Sequence, residues 1–159
     1  MGRRSVKENK NIYQTSREAM GYTREEAAEK LVYISADRIE KIESGKLSAH
    51  PEEVMTMASV YKNVMLNNYY CSHECPIGQK YVPELKMKDI SQVTLELLNG
   101  LNTLNKDKER FVEIMVDGEI ESDEEPDFEE IRKNLEDISA AIRTLEIWLE
   151  HKELLKEEA

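Results

Sequence analysis

Cysteine and histidine side chains cluster in the segment Cys71-Ser72-His73-Glu74-Cys75. Thiolate and imidazole groups are ligands that zinc prefers, and residues four apart share one face of a helix. His73, two residues from each cysteine, points elsewhere, and a fourth ligand is missing. We therefore predict no metal site, with Cys71, His73 and Cys75 as the candidate ligands of the less favoured alternative. The favoured interpretation is two reduced, partly buried thiols, with a thiol-disulfide switch as the alternative.

The other two histidines do not complete a catalytic set. His50 stands at the start of a predicted helix, and His151 lies in the last one. The sequence also has no glycine-rich phosphate loop and no nucleophile motif. We predict that the protein is not an enzyme and that it uses no cofactor.

The elements that position these side chains are predicted to be helices. The chain has 159 residues, with 6 glycines, 4 prolines and 40% hydrophobic residues, which favours an all-α fold with a buried core. Its basic start is not followed by an apolar run, and no segment is long enough to span a bilayer. We expect a cytoplasmic protein that does not enter a membrane.

Helix start and stop signals divide the first half of the chain. Gly21 ends a first helix, and Thr23 with Glu26 forms a capping box that starts a second. Ser35 is the predicted N-cap of a third helix over residues 36–44, which Gly45 ends. Two short helices therefore meet across a short turn.

Two more helices are predicted before a linker. Pro51 suits the first position of a fourth helix, and a fifth covers residues 64–75. The buried stripe of the fourth helix is Val54, Met57, Ala58 and Tyr61. Pro76, Gly78 and Pro83 indicate a linker.

The second half follows a heptad pattern, with apolar residues alternately three and four apart. The two series are Ile90, Thr94, Leu97, Leu101, Leu104, Lys108, Phe111 and Met115, and then Phe128, Ile131, Leu135, Ile138, Ile142, Leu145 and Leu149. Residues 118–126 between them are acidic and end in proline, which indicates an exposed turn. We predict an antiparallel hairpin. Its predicted contacts are Leu97, Leu101, Leu104 and Phe111 with Ile131, Leu135, Ile138 and Leu145.

Two short helices across a tight turn, with a supporting helix on either side, can lay one helix in a DNA major groove. The runs that carry this pattern are Arg17-Glu18-Ala19-Met20-Gly21-Tyr22-Thr23-Arg24-Glu25-Glu26-Ala27-Ala28-Glu29-Lys30-Leu31 and Ile39-Glu40-Lys41-Ile42-Glu43-Ser44-Gly45-Lys46. They resemble the lambda-repressor-like helix-turn-helix family of the xenobiotic-response-element type, over roughly residues 12–68. The family often has a glycine in the turn where Val32 and Tyr33 stand, and here the turn is one residue longer.

The resemblance implies a role for each matching residue. Arg17 pairs with Glu43 to join the first helix to the recognition helix, over residues 36–44, and we predict an ion pair that is at least partly buried. The residues expected to face DNA are Arg24, Ser35, Ala36, Asp37, Arg38, Lys41, Ser44 and Lys46, together with Arg3 and Arg4 of the basic tail. Ala36, Asp37 and Lys41 would meet base edges, and Arg24, Arg38, Ser44 and Lys46 would lie near phosphates. Arg3 and Arg4 would follow the DNA backbone or the minor groove. Ile39 and Ile42 face inward, so Arg38 and Lys41 are predicted on the exposed side.

We therefore predict a five-helix DNA-binding domain over residues 1–76, a linker over 77–88 and an acidic helical hairpin over 89–159. The hairpin half carries 10 Lys/Arg against 22 Asp/Glu from residue 84 onward, whereas residues 1–83 carry 12 against 11. The expected function is a sequence-specific transcriptional regulator that binds double-stranded DNA as a homodimer. The hairpin would dimerise or bind a protein partner.

The alternative is a protein-interaction module that does not bind DNA, in which the helix-turn-helix only packs and the acidic hairpin is the partner surface. The charge of the face around Ala36 and Lys41 distinguishes the two. A positive face favours DNA, and an acidic face favours the protein partner.

Overall fold

The computed structural model describes residues 10–116 and 118–156, and their regular structure is helical, as predicted. The helices are α1 (Ile12–Ala19), α2 (Arg24–Leu31), α3 (Ala36–Glu43), α4 (Pro51–Val60), α5 (Met65–Tyr69), α6 (Gly78–Tyr81), α7 (Ile90–Met115) and α8 (Glu125–Lys156). A π-helical turn, Tyr70–Glu74, continues α5. None of the helices in the described ranges is both long and apolar enough to cross a membrane.

The chain divides into two compact units, whose described residues are 10–85 with 149–156, and 86–148. The first unit extends past residue 76 because α6 forms in the predicted linker. There the Gly78 amide donates to Cys75 Sγ at 3.4 Å. In the same unit, Lys62 Nζ donates to the Leu154 carbonyl in the last turn of α8, at 3.4 Å. The domain boundaries predicted from the sequence, at residues 76 and 88, stay a prediction, because they concern which parts of the chain fold independently.

The caps of the first three helices follow from local sequence. Asn11 accepts a hydrogen bond from the Gln14 amide, so α1 starts at residue 12. Thr23 and Glu26 form the predicted capping box, and Ser35 caps α3. Gly21 has a φ of 76°, the left-handed conformation that ends helices and costs glycine least. The predicted starts of α2 and α3 and the predicted end of α1 at Gly21 are therefore confirmed.

The core of the first unit is built from one face of each short helix. Its buried residues are Tyr13, Ala27, Leu31, Ile34, Ile39, Ile42, Ala49, Val54, Met57, Ala58, Tyr61 and Leu66. This list includes the whole predicted stripe of α4. Ile39 and Ile42 are 1% and 2% exposed, so their side of α3 is fixed against the core. The opposite side of α3 faces solvent.

The turn between α2 and α3 contains a strained residue. Val32 has φ 65° and ψ −53°, and the Tyr33 amide donates to the Leu31 carbonyl at 2.7 Å. These angles and this bond define a γ-turn with positive φ at its centre, which a β-branched side chain rarely adopts. Val32 is also 85% exposed, so packing of its side chain does not compensate the strain.

We expect Val32→Gly to raise the free energy of unfolding by about 1 kcal/mol. Relief of the strain, of order 1–3 kcal/mol, outweighs the extra freedom that glycine has in the unfolded chain. Urea unfolding followed by circular dichroism measures the change. Val32→Ala is the matched control, because alanine keeps a Cβ at positive φ and should leave stability close to that of the wild type. A Val32→Gly protein less stable than the wild type would contradict the strain.

The second unit contains the predicted antiparallel hairpin of α7 and the first part of α8. Asn134 Nδ2 donates to the Gly100 carbonyl at 3.0 Å, and Arg110 Nε lies 2.7 Å from Asp127 Oδ2. Residue 100 contacts residue 134 and residue 110 contacts residue 127, so a later position in α7 contacts an earlier position in α8. This order requires antiparallel helices. The hairpin direction is confirmed.

The register of the seam differs from the prediction. A continuous line of buried and half-buried residues along α7 consists of Ile90, Val93, Leu97, Gly100, Leu104, Asp107, Phe111 and Ile114. The predicted seam residues that are instead exposed are Thr94, Leu101, Lys108 and Met115 of α7, and Leu135, Ile142 and Leu149 of α8. Their predicted place in the seam is wrong. Gly100 gives the physical reason: a Cβ there would lie 2.6 Å from Ile138 Cγ1, so the helices approach closely over the glycine.

Candidate nucleic-acid interface

A buried ion pair joins α1 to the end of α3. Arg17 Nε lies 2.5 Å from Glu43 Oε1, and Arg17 Nη2 lies 2.9 Å from Glu43 Oε2. Their side chains are 7% and 1% exposed, so the predicted pair is confirmed. Burial is the largest single effect on the pKa of Arg17 and lowers it, but the hydrogen bonds and the charge of Glu43, with smaller contributions from Tyr61 and Glu18, together raise the pKa above its ordinary value. The guanidinium therefore stays charged.

The same carboxylate also binds α2. Arg24 Nε donates to Glu43 Oε2 at 2.9 Å, while Arg17 Nη1 donates to the Tyr22 carbonyl just before α2. We call Arg17, Arg24 and Glu43 the arginine clamp. Because one carboxylate accepts from two helices, the clamp fixes the orientation of α3 relative to α1 and α2.

The solvent face of α3 carries paired charges. Lys41 Nζ lies 2.6 Å from Asp37 Oδ2, one helical turn away, and Lys46 Nζ lies 3.2 Å from Glu40 Oε1. The two lysine side chains are 41% and 64% exposed. Exposed pairs of this kind contribute only about 0–1 kcal/mol in water, so a phosphate can replace the carboxylate at small cost.

Arg38 is not a free surface cation, which corrects the sequence expectation. Its Nε and Nη2 lie 2.9 Å and 2.8 Å from the two Glu53 carboxylate oxygens, and Nη2 also donates to the Ser48 carbonyl at 2.9 Å. The side chain is only 22% exposed. A two-point bond to the first turn of α4 makes Arg38 a structural link between α3 and α4. Its contact with a phosphate stays a prediction.

We expect Glu53→Gln to cost about 2 kcal/mol of stability at neutral pH, the value of a hydrogen bond to a charged group. The bond from Arg38, helped by the His50 amide and opposed by burial, lowers the pKa of Glu53 below that of an ordinary glutamate. A depressed carboxylate pKa stabilises the fold above its unfolded pKa, and this stabilisation disappears as the pH falls through the folded pKa.

Urea unfolding of the wild type and Glu53→Gln should therefore differ at neutral pH and converge as the pH falls below about 4, where a glutamate with a lowered pKa becomes protonated. Glu52→Gln is the matched control at the adjacent exposed position and should follow the wild type throughout. A difference that is the same at all pH values would show that Glu53 does not titrate through this pair.

The face around α3 is close to electrically neutral. The charged residues of the clamp and of the pairs described above are Arg17, Arg24, Asp37, Arg38, Glu40, Lys41, Glu43, Lys46 and Glu53. Five are cations and four are carboxylates, a net charge of +1. The face is therefore neither strongly positive nor acidic, and its accessible positive charge lies on exposed lysines whose pairs are weak.

The remaining predicted contact residues lie near these charges. Ser35 Oγ accepts from the Arg38 amide and Ser44 Oγ donates to the Lys41 carbonyl, both at 3.2 Å, so each hydroxyl already has a local partner. Ala36 is half-buried at the start of α3. Arg3 and Arg4 lie outside the described residues.

The segment that contains α3 and the residues around it is similar to a known protein family. Residues 15–64 match the family model described as helix-turn-helix. This segment is a helix-turn-helix domain. The match confirms the resemblance seen in the N-terminal half and does not extend to α6, α7 or α8. No curated protein and no solved structure matches the chain.

Two contacts that hold the helix-turn-helix domain together give no signal in the sequence. The Tyr33 hydroxyl, in the turn, bonds to Thr56 Oγ1 and donates to the Glu52 carbonyl, both in α4. Glu53 is recognisable from the sequence as a helix-start carboxylate but not as the partner of Arg38. Each contact joins side chains that are 15 to 23 positions apart, which is beyond the reach of a local pattern.

The cysteine-histidine segment lies outside the matched residues. Cys71 and Cys75 are half-buried free thiols. His73 stacks on Tyr69 with ring centroids 4.4 Å apart, and its Nε2 lies 3.7 Å from Glu84 Oε2. Among the described residues, no three His, Cys, Asp or Glu side chains are placed to hold a metal ion.

Proposed function

We propose that the protein binds double-stranded DNA sequence-specifically and regulates transcription, with α3 in the major groove. The observation that carries the proposal is the arginine clamp together with the burial of Ile39 and Ile42. It fixes one side of α3 against the domain and leaves the other side exposed, within a segment that matches the helix-turn-helix family. A rigidly held helix with one free face suits readout of base edges.

The proposed contacts divide by position on α3. Asp37, in the first turn with 73% of its side chain exposed, would accept from a cytosine amino group, and Ala36 beside it would lie against a base. Lys41, one turn further, would donate to a guanine edge. Ser35, Ser44, Arg24, Arg38 and Lys46 would lie near phosphates, and Arg3 and Arg4 would follow the backbone or minor groove.

The low cost of moving Lys41 or Lys46 from its carboxylate partner to DNA supports this proposal. When Lys41 or Lys46 leaves its carboxylate for DNA, it gives up about 0–1 kcal/mol and makes a charge-assisted contact instead. The carboxylates that remain repel the phosphates. We therefore expect weak binding to random DNA and a larger share of the affinity from base contacts.

The test is a fluorescence anisotropy titration of the full chain with random-sequence duplex and with a pool of genomic fragments, each at two salt concentrations. DNA binding predicts an affinity that falls as salt rises, with a subset of fragments retained at the higher salt. Absence of any complex at the lower salt would overturn the proposal in favour of a domain that only packs.

A further inference from the structure

One edge of the hairpin in the second unit is lined by exposed apolar side chains. They are Leu98, Leu101, Val112 and Met115 of α7, and Leu135 and Ile142 of α8, and we call them the apolar edge. Each is between 37% and 56% exposed. Leu98 and Val112, and Leu101 and Met115, are fourteen residues apart, and Leu135 and Ile142 are seven apart, so each pair lies on one side of its helix, with Asn105 and Lys108 between the members of the α7 pairs.

The opposite edge of the hairpin is polar. Asp107, Arg110, Asp127 and Glu130 line a shallow groove there, and Arg110 binds Asp127 at 2.7 Å. In a pair of antiparallel helices, the heptad positions that flank the seam on the same side of each helix lie next to each other at one edge of the pair. Because Arg110 and Glu130 share the polar edge, the heptad spacing places Leu101 and Leu135 together on the other one. The exposed apolar residues therefore form one surface and not two.

The size of this surface fits a protein interface. At their observed exposures the six side chains present on the order of 500 Å² of accessible surface, in the upper part of the range of about 300–600 Å² for the largest apolar patch on a typical monomer. A stable interface needs about 800 Å² per partner, of which about 65% is apolar in homodimers. The apolar edge alone is smaller than this, so a dimer would also bury about 300 Å² of the polar surface around it.

The charges beside the apolar edge favour a second copy of the same chain. Apart from Asp107 and Arg110, which lie on the polar edge, residues 98–115 carry two Lys/Arg and two Asp/Glu, and residues 131–148 carry three of each. A basic partner would need an acidic surface, but the acidic residues concentrate at the turn, where residues 117–130 hold nine Asp/Glu and no Lys/Arg. Balanced charges can pair with the same charges of a second copy in a two-fold arrangement.

We propose that the apolar edge is a homodimer interface, in which two hairpins pack their apolar edges together as a four-helix bundle. The surface is the same patch on both copies, as two-fold symmetry requires. The proposal does not rest on DNA binding, because it concerns the association of the free protein.

Sedimentation velocity of the full chain over a range of concentrations tests the proposal. The wild type should sediment as a dimer. Leu98→Glu/Leu101→Glu should raise the dissociation constant by at least about a hundredfold, because two charges enter a desolvated apolar contact. The matched control is Gln92→Glu/Asn99→Glu, which adds the same charge to exposed positions of α7 away from the apolar edge, and it should remain a dimer.

A second pair of variants tests α8 without added charge. Leu135→Gln/Ile142→Gln should also be monomeric, with unchanged helix content by circular dichroism, since both side chains are already exposed. A monomeric wild type would overturn the proposal, as would variants of the apolar edge that remain dimeric or a control that dissociates to the same extent.

Discussion

Glu43→Gln is expected to lower the free energy of unfolding of the helix-turn-helix domain by about 3–5 kcal/mol. The substitution removes the charge that two guanidinium groups share. Arg17, whose side chain is only 7% exposed, would then keep only the more distant Glu18 carboxylate, 4.0 Å from its Nη2. A buried cation that loses its close partner costs more than the pair contributes, because its desolvation is no longer compensated.

Amide hydrogen exchange of peptides from residues 12–69 measures this change in the full protein, separately from the hairpin. Glu40→Gln is the control: it removes an exposed partner of Lys46 and should change stability by no more than about 1 kcal/mol. The double variant Arg17→Met/Glu43→Leu should be destabilised less than Glu43→Gln, because it leaves no buried cation at position 17. A Glu43→Gln protein within about 1 kcal/mol of the wild type would contradict the clamp.

Lys41→Glu combined with Lys46→Glu is expected to weaken DNA binding at least about tenfold, and to make its salt dependence shallower by about one for each phosphate contact that the substitutions abolish. Both lysines lie on the solvent face of α3 in weak pairs with Asp37 and Glu40. Their reversal changes the net charge of the face around α3 from slightly positive to negative. The melting temperature should hardly change, because these pairs contribute little to stability.

Lys106→Glu/Lys133→Glu is the matched control, with the same change in net charge on exposed positions of the hairpin. If it weakens binding as much as Lys41→Glu/Lys46→Glu does, total charge and not α3 sets the affinity. Equal binding by the α3 variant and the wild type would remove α3 from the interface. Arg38→Glu is unsuited to this experiment, because it would break the bond to Glu53 and destabilise the α3–α4 junction.

Local signals in the sequence predicted the starts of α2, α3 and α4 well. Thr23 with Glu26, Ser35 and Pro51 each act within one helical turn, so neighbouring residues contain all the information that places the helix start. The prediction for the end of α2 was less complete. Val32 adopts the positive φ that a glycine would adopt more easily, and only the structure shows that the turn is closed as a γ-turn.

The hairpin shows where a repeating pattern is ambiguous. Two series with heptad spacing share Leu97 and Leu104 in α7, and one passes through Leu101 while the other passes through Gly100. Hydrophobicity alone favours the series that contains Leu101. The seam instead passes over Gly100, because a missing side chain permits close approach to Ile138 and a hydrogen bond from Asn134. The excess of apolar residues remains as the apolar edge.

Neither series is purely apolar, so the sequence of α7 does not exclude either one. Thr94 and Lys108 interrupt the series with Leu101, and Asp107 interrupts the series with Gly100. The choice between them rests on Gly100 and the helix that packs against it. A single helix sequence cannot make that choice, because the distance between two helix axes is a property of both helices.

The residues of the candidate interface also divide into those that the sequence determined and those that only the tertiary structure decided. The sequence by itself determined the helix-turn-helix pattern, the inward faces of Ile39 and Ile42 and, through the family resemblance, the pair of Arg17 with Glu43. Only the tertiary structure decided which cations are bound by a carboxylate of another helix. Arg38 is bound by Glu53, and Arg24 joins the clamp, whereas Lys41 and Lys46 keep only weak exposed pairs. The physical reason is that helical periodicity gives the direction of a side chain, but its charge partner comes from another helix that only the folded chain brings within hydrogen-bonding distance.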